Sequence, residues 1–128
     1  MERKNIAGNS VWEGMVGYSR AVRIGNHIFV AGTTSTDENG IISGVKNPYR
    51  QAVQSLKNIE TALQKAGASM KDVVRTRMFI TDPAYAETIG RAHNEVFKDI
   101  KPASTMVVIS RLVDKEMLVE IEADAIVE

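Results

Sequence analysis

Apolar and polar positions along this chain recur at two periods, and the switches between them divide it into elements. "AVRIGNHIFVAGTT" is two β-rich runs joined at Gly25-Asn26, a pair suited to a tight hairpin turn. The next turn is "DENG", Asp37 to Gly40, where Asn39-Gly40 is the strongest short-range turn signal. From Pro48 to Ala66 the positions Ala52, Val53, Leu56, Ile59 and Leu63 follow helical spacing, and Gly67 suits a helix C-terminus. "DVVRTRMFITD" reads as a strand, because its apolar cluster is too short for a second long helix. Asp82-Pro83 opens another helix, with Ile89, Ala92, Val96 and Phe97 along one side. Strands from Ser104 to Ser110 and from Met117 to Val127 close the chain. The order ββ, α, β, α, ββ predicts an α+β fold in which a sheet carries its helices on one face.

The last strand separates its faces most clearly. In "MLVEIEADAIV", Val119, Ile121, Ala123 and Ala125 share one side and Glu120, Glu122 and Asp124 the other. The first set should lie under the helices. Arg75 and Arg77 share a face of "RTR" in the same way, so cross-strand ion pairs are expected if the two strands are neighbours.

Composition narrows the function classes. At 128 residues and 44% hydrophobic content, residues 1–128 make one domain. Sixteen basic and sixteen acidic residues cancel, the pI is near 6.7, and there are only seven aromatics among Phe, Trp and Tyr, so no nucleic acid partner is expected. The chain has no cysteine, which removes disulfides, thiolate nucleophiles and Cys-ligated metal. Its two histidines, His27 beside a turn and His93 on the second helix, are too far apart in sequence to suggest a metal site. No metal or cofactor is expected. No apolar run approaches the ~20 residues of a membrane span, and "MERKNIAGNS" lacks the apolar middle of a signal peptide. A soluble cytoplasmic protein is the expectation. Phosphate loops, paired-histidine motifs and nucleophile elbows are absent, and the residues taken by themselves lead no further than a soluble α+β domain.

Four segments taken together go further. "GYSRAVRIGNHIFVAGTT", "QAVQSLKNIETALQKAGASMKDVVRTRMFITD", "PAST" and "VEIEADAIV" resemble the Rid family, also called the YjgF or L-PSP family, in order and spacing from about Gly17 onward. The resemblance implies a chorismate-mutase-like fold with two helices on one face of a mixed sheet. It also implies a homotrimer with three intersubunit clefts, in whose best-known members amino-acid-derived imines or enamines are hydrolysed. Tyr18 stands at the family's pocket tyrosine, Gly32 and Met106 at its amide donors, and Glu120 at the acid that positions or activates water. Three positions depart from the pattern. Ala31 replaces a pocket serine, His93 an aromatic, and Ser104 the arginine of the Pro-Ala-Arg motif that clamps the substrate carboxylate.

A neutral hydroxyl contributes about 0.5–1.5 kcal/mol where a bond to a charged group contributes about 1.5–3. Ser104 therefore weakens the expectation of ordinary 2-iminobutanoate or 2-iminopropanoate deaminase activity. Arg20 and Arg77 are the candidate cations for a relocated anion site, with His93 available for proton transfer near neutral pH. Against this stands the alternative that these arginines form interface salt bridges with Glu120 and Glu122. Two functions remain open: an imine or enamine hydrolase using Glu120, and a non-catalytic trimer that binds a small anionic metabolite.

Overall fold

The computed structural model describes residues 1–128. Strands β1 (Arg3–Ile6), β2 (Ala21–Ile24), β3 (His27–Thr33), β4 (Val73–Ile80), β5 (Ala103–Val108) and β6 (Val119–Ile126) join into one sheet of order β1-β2-β3-β6-β4-β5. All neighbours are antiparallel except β4 and β5, which run parallel and are linked by helix α2 (Ala86–Phe97). Helix α1 (Pro48–Lys65) connects β3 to β4, and the final strand β6 inserts between those two. The expected hairpin forms at Gly25-Asn26, with positive φ (58°) only at Gly25, the pattern of a type II′ turn.

Both helices pack on one face of the sheet. From α1 come Ala52, Leu56, Ile59, Ala62 and Leu63, and from α2 Ile89, Ala92 and Phe97, all joined to Ile28, Val30, Met78, Ile80, Val119, Ile121, Ala123 and Ala125 in one core. Val96, expected on that stripe, is instead partly exposed beside the groove between the helices. The second helix also starts later than Asp82-Pro83 predicts: Pro83–Tyr85 form one tight turn capped by Asp82, and α2 follows it. Strand β1 is missing from the sequence reading because "RKNI" has no apolar alternation; it joins the sheet as an edge strand through backbone pairing to β2. No helix is long and apolar enough to cross a membrane.

The ends of α1 are held by side chains. Asn47 caps its first turn by accepting from the Arg50 amide, ahead of Pro48. At the other end Arg23 donates to the Ala66 carbonyl at 2.7 Å, so this arginine is a helix cap and not a solvated surface charge. Within α1, fully buried Gln51 donates to the Gly44 and Glu116 carbonyls and accepts from the Leu118 amide. It thereby ties two loops to the helix. Gln51→Leu leaves the Glu116 carbonyl and the Leu118 amide without partners and the Gly44 carbonyl with the Asn47 amide alone, and should cost about 2–4 kcal/mol. Urea unfolding should show a lower midpoint at unchanged slope; a loss under about 0.5 kcal/mol would mean the loops do not depend on this side chain.

Candidate functional site

The face of the sheet away from the helices is open, and two bulges decide what it displays. In β4, Val73 pairs with Ala125 but Arg75 with Asp124, so Val74 is an extra residue. The bulge resets the alternation. Val73, Thr76, Met78 and Ile80 turn to the core, whereas Arg75, Arg77 and Phe79 join Asp124, Glu122 and Glu120 on the open face. The cross-strand ion pairs are there: Arg77 lies 3.2 Å from Glu122 and 3.5 Å from Asp124. Glu120 takes no part in them within the chain.

The second bulge lies in β3. Three steps from Val30 to Thr33 oppose two from Ala123 to Ile121, which places Ala31 and Gly32 at the irregularity. The Glu120 carboxyl lies directly over Gly32, where an added Cβ would come within 2.8 Å of its Cδ. Only glycine permits that approach. Arg20 locks the bulge by donating to the Gly32 carbonyl at 2.9 Å and to the Thr33 hydroxyl at 3.0 Å, and Thr33 in turn donates to the Ala31 carbonyl. Burial raises the pKa of Glu120 above the ordinary carboxylate value, repulsion from Glu122 adds to this, and Arg20 partly offsets it. The result is a desolvated carboxyl with no ion-pair partner, held beside the bulged strand. Tyr18 follows the short helical turn Glu13–Gly17 and, with Ala31, Arg77, Glu122 and Asp124, lines an open depression of about 740 Å³ that neither Gly32 nor Glu120 borders.

Arg20 and Arg77 are therefore both engaged, one with backbone and hydroxyl oxygens and one with two carboxylates. Neither stands unpaired in the single chain. No cluster of three or more metal-ligating side chains is present.

Ser104 and His93 lie on the other side of the sheet. Ser104 pairs with Thr76 in the β4–β5 register and shares its helix-side face. Its hydroxyl is 2.7 Å from Thr76 Oγ1, which is also 2.8 Å from His93 Nε2 on α2. Burial lowers the pKa of His93, so its ring is neutral at pH 7, and it packs against Phe97 at 4.6 Å. His93 thus turns toward Thr76 and Ser104, away from the Glu120 face. β5 begins at Ala103 and ends at Val108, and it is an open sheet edge. The Ile109 amide bonds to Ile80 in β4, so by alternation the amides of Ser104 and Met106 point out from the free edge.

The sequence-predicted residues therefore form two groups. Arg20, Ala31, Gly32 and Glu120 lie at the bulged strand, beside the depression lined by Tyr18, Ala31 and Arg77, and His93, Ser104 and Met106 lie around the β5 edge. Glu120 pairs with Phe79, which pairs with Val107, so Glu120 and Ser104 are two strands apart, about 10 Å, and three residues apart lengthwise, another ~10 Å. They also face opposite ways. Thr76 was not singled out in the sequence, although a polar residue between two outward arginines has to face the core and find partners there.

The family model described as Endoribonuclease L-PSP matches residues 10–127. A RutC family protein of Pyrococcus abyssi is 39% identical, covering 84% of each chain. The 3-aminoacrylate deaminase RutC of Acinetobacter baylyi is 32% identical over 84% of this chain and 85% of its own. Among solved structures, a YjgF-family protein of Mycobacterium tuberculosis superimposes with a TM-score of 0.90 at 43% identity, covering 98% of this chain and all of that one. Escherichia coli TdcF with bound serine gives 0.85 at 27%, covering 98% and 99%.

The raised pKa of Glu120 has a signed consequence for stability. Folding favours its protonated form, so above the raised pKa its charge costs stability, and that cost fades as pH falls through it. Glu120→Gln should therefore melt at or above the wild-type temperature at pH 7, with the advantage shrinking toward pH 4. A variant less stable at pH 7 than at pH 4, relative to wild type, would contradict the desolvated state of this carboxyl.

Proposed function

Because the chain belongs to the L-PSP family, also known as the YjgF or Rid family, we propose that it forms a homotrimer whose intersubunit clefts bind a small metabolite and hydrolyse an imine or enamine. The observation that carries this reading is the Glu120 carboxyl, unpaired, partly desolvated and seated over Gly32. Water must add to the carbon of a C=N bond. A carboxylate with a raised pKa is a stronger base than an ordinary one and can take the water's proton as the C–O bond forms. The carbinolamine then releases ammonia, leaving a carbonyl product. An enamine reaches the same path once its carbon is protonated to an iminium.

Assembly is supported by two features of the single chain. Phe29, Val107 and Ile126 stay exposed on the open sheet face, an unusual place for large apolar side chains unless another surface covers them. In addition, Glu120 and Ser104 are too far apart, on opposite faces, to touch one small molecule within one chain. A second copy that brings its β5 edge to the Glu120 face joins Tyr18, Gly32 and Glu120 with Ser104 and the Met106 amide. The zero net charge lends no support to RNA as the substrate.

Ser104 favours a second reading, a non-catalytic trimer that holds a metabolite in the same clefts. Ammonia release from 2-aminoacrylate and from 3-aminoacrylate, each generated in the assay, separates the two. The hydrolase reading expects release from at least one imine or enamine, reduced about hundredfold or more by Glu120→Gln. Gly32→Ala, which displaces the carboxyl, should also reduce it. Because Glu120 acts as carboxylate, activity should fall as pH drops through its raised pKa, placing the acid limb above the ordinary 4.5. Equal rates in wild type and Glu120→Gln would overturn the role of Glu120.

A further inference from the structure

Thr76 is fully buried in the middle of β4, yet it is polar, and both of its hydroxyl contacts are side chains: Ser104 at 2.7 Å on the exposed edge strand and His93 at 2.8 Å on α2. A hydroxyl has one proton to give, so the chain of contacts has a direction. If His93 Nε2 accepts from Thr76, Thr76 accepts from Ser104, and Ser104 is left with lone pairs facing outward. If Nε2 carries the proton, the order reverses and Ser104 donates outward. Either order is open to a neutral imidazole, because its two tautomers exchange the roles of the ring nitrogens. Ser104 can thus meet a hydrogen-bond donor or an acceptor, but its immediate partners bring no positive charge. The ring behind it packs against Phe97 and cannot swing into the cleft without breaking its bond to Thr76.

We propose that Ser104, Thr76 and His93 form a hydroxyl–hydroxyl–imidazole relay that recognises an uncharged polar group, such as a carboxamide, where the family's deaminases clamp a carboxylate. The proposal rests on the reading that Ser104 lines the ligand cleft, and it names the substrate class of that cleft: small imines or enamines whose neighbouring group is an amide or hydroxyl. Thr76 and His93 are positioning residues that act through Ser104. The outward amides of Ser104 and Met106 add neutral donors beside the hydroxyl and suit a carbonyl oxygen. A free carboxylate there would exchange its hydration for neutral bonds only.

Binding, rather than turnover, tests this, so that failure of catalysis and failure of recognition are told apart. The probes are 2-oxobutanoate and 2-oxobutanamide, which share a carbon skeleton and differ in charge, titrated into the assembled protein and followed by NMR. Wild type should bind the amide about tenfold or more tightly than the acid. Thr76→Val keeps the shape and removes the hydroxyl, and should abolish the preference. Thr76→Ser should retain it, and Ser104→Arg should reverse it toward the acid. In wild type the amide should also shift the ¹⁵N resonance of His93 Nε2, a response lost in Thr76→Val. Tighter binding of the acid by wild type, no binding of the amide, or an undiminished amide preference in Thr76→Val would each overturn the proposal. Amide preference without any imine hydrolysis would sustain the relay and refute only the hydrolase reading.

Discussion

Strand alternation in a sheet covered on one side is the constraint from which the rest follows. Once α1 and α2 bury one face of the six strands, each strand residue is assigned to the core or to the open face, and its neighbour takes the other. The two bulges are the only places where the assignment shifts. One turns Arg75 and Arg77 outward while Thr76 goes inward, and the other opens the space over Gly32 that the Glu120 carboxyl occupies. Chemistry is thereby divided between two surfaces of one thin structure, a carboxyl on one and a hydroxyl relay at the edge of the other.

The charges around these surfaces are largely committed. Arg77 balances Glu122 and Asp124, Arg23 caps α1, and Arg20 holds the bulged strand. Glu120 is left over from this pairing, and burial with a like-charged neighbour keeps its proton affinity high. His93 is driven the other way by the same physics, toward the neutral ring that a hydroxyl relay needs. Neither shift requires a special device; both come from partial burial at the boundary between core and solvent.

Much of the fold was legible in the sequence, because long periodic elements announce themselves. The helical stripe of α1 and the alternation of β6 both appear where expected. The Gly25-Asn26 turn does as well. What escaped were features without local signal: β1, which pairs through backbone alone, and the one-residue bulge at Val74. The candidate residues could be named from sequence, but not their arrangement. Glu120 lies over Gly32, whereas Arg20 and Arg77, read as candidate cations, have partners that only the folded register brings near. Thr76 shows the same limit. Its role depends on a parallel strand and a helix that arrive from later in the chain.

In the proposed trimer the working site is shared, with Glu120 from one copy and the β5 edge from another. Mixing two inactive chains tests it most directly: Glu120→Gln, and Ser104→Trp, which fills the other side of the cleft. After dissociation and random reassembly in equal amounts, a closed cyclic trimer with shared clefts should regain about a quarter of the wild-type sites, one intact cleft in each mixed trimer. Ammonia release near that level is the predicted result. No recovery, with mixed trimers demonstrated by native mass spectrometry, would mean that the two residues do not meet across a subunit boundary.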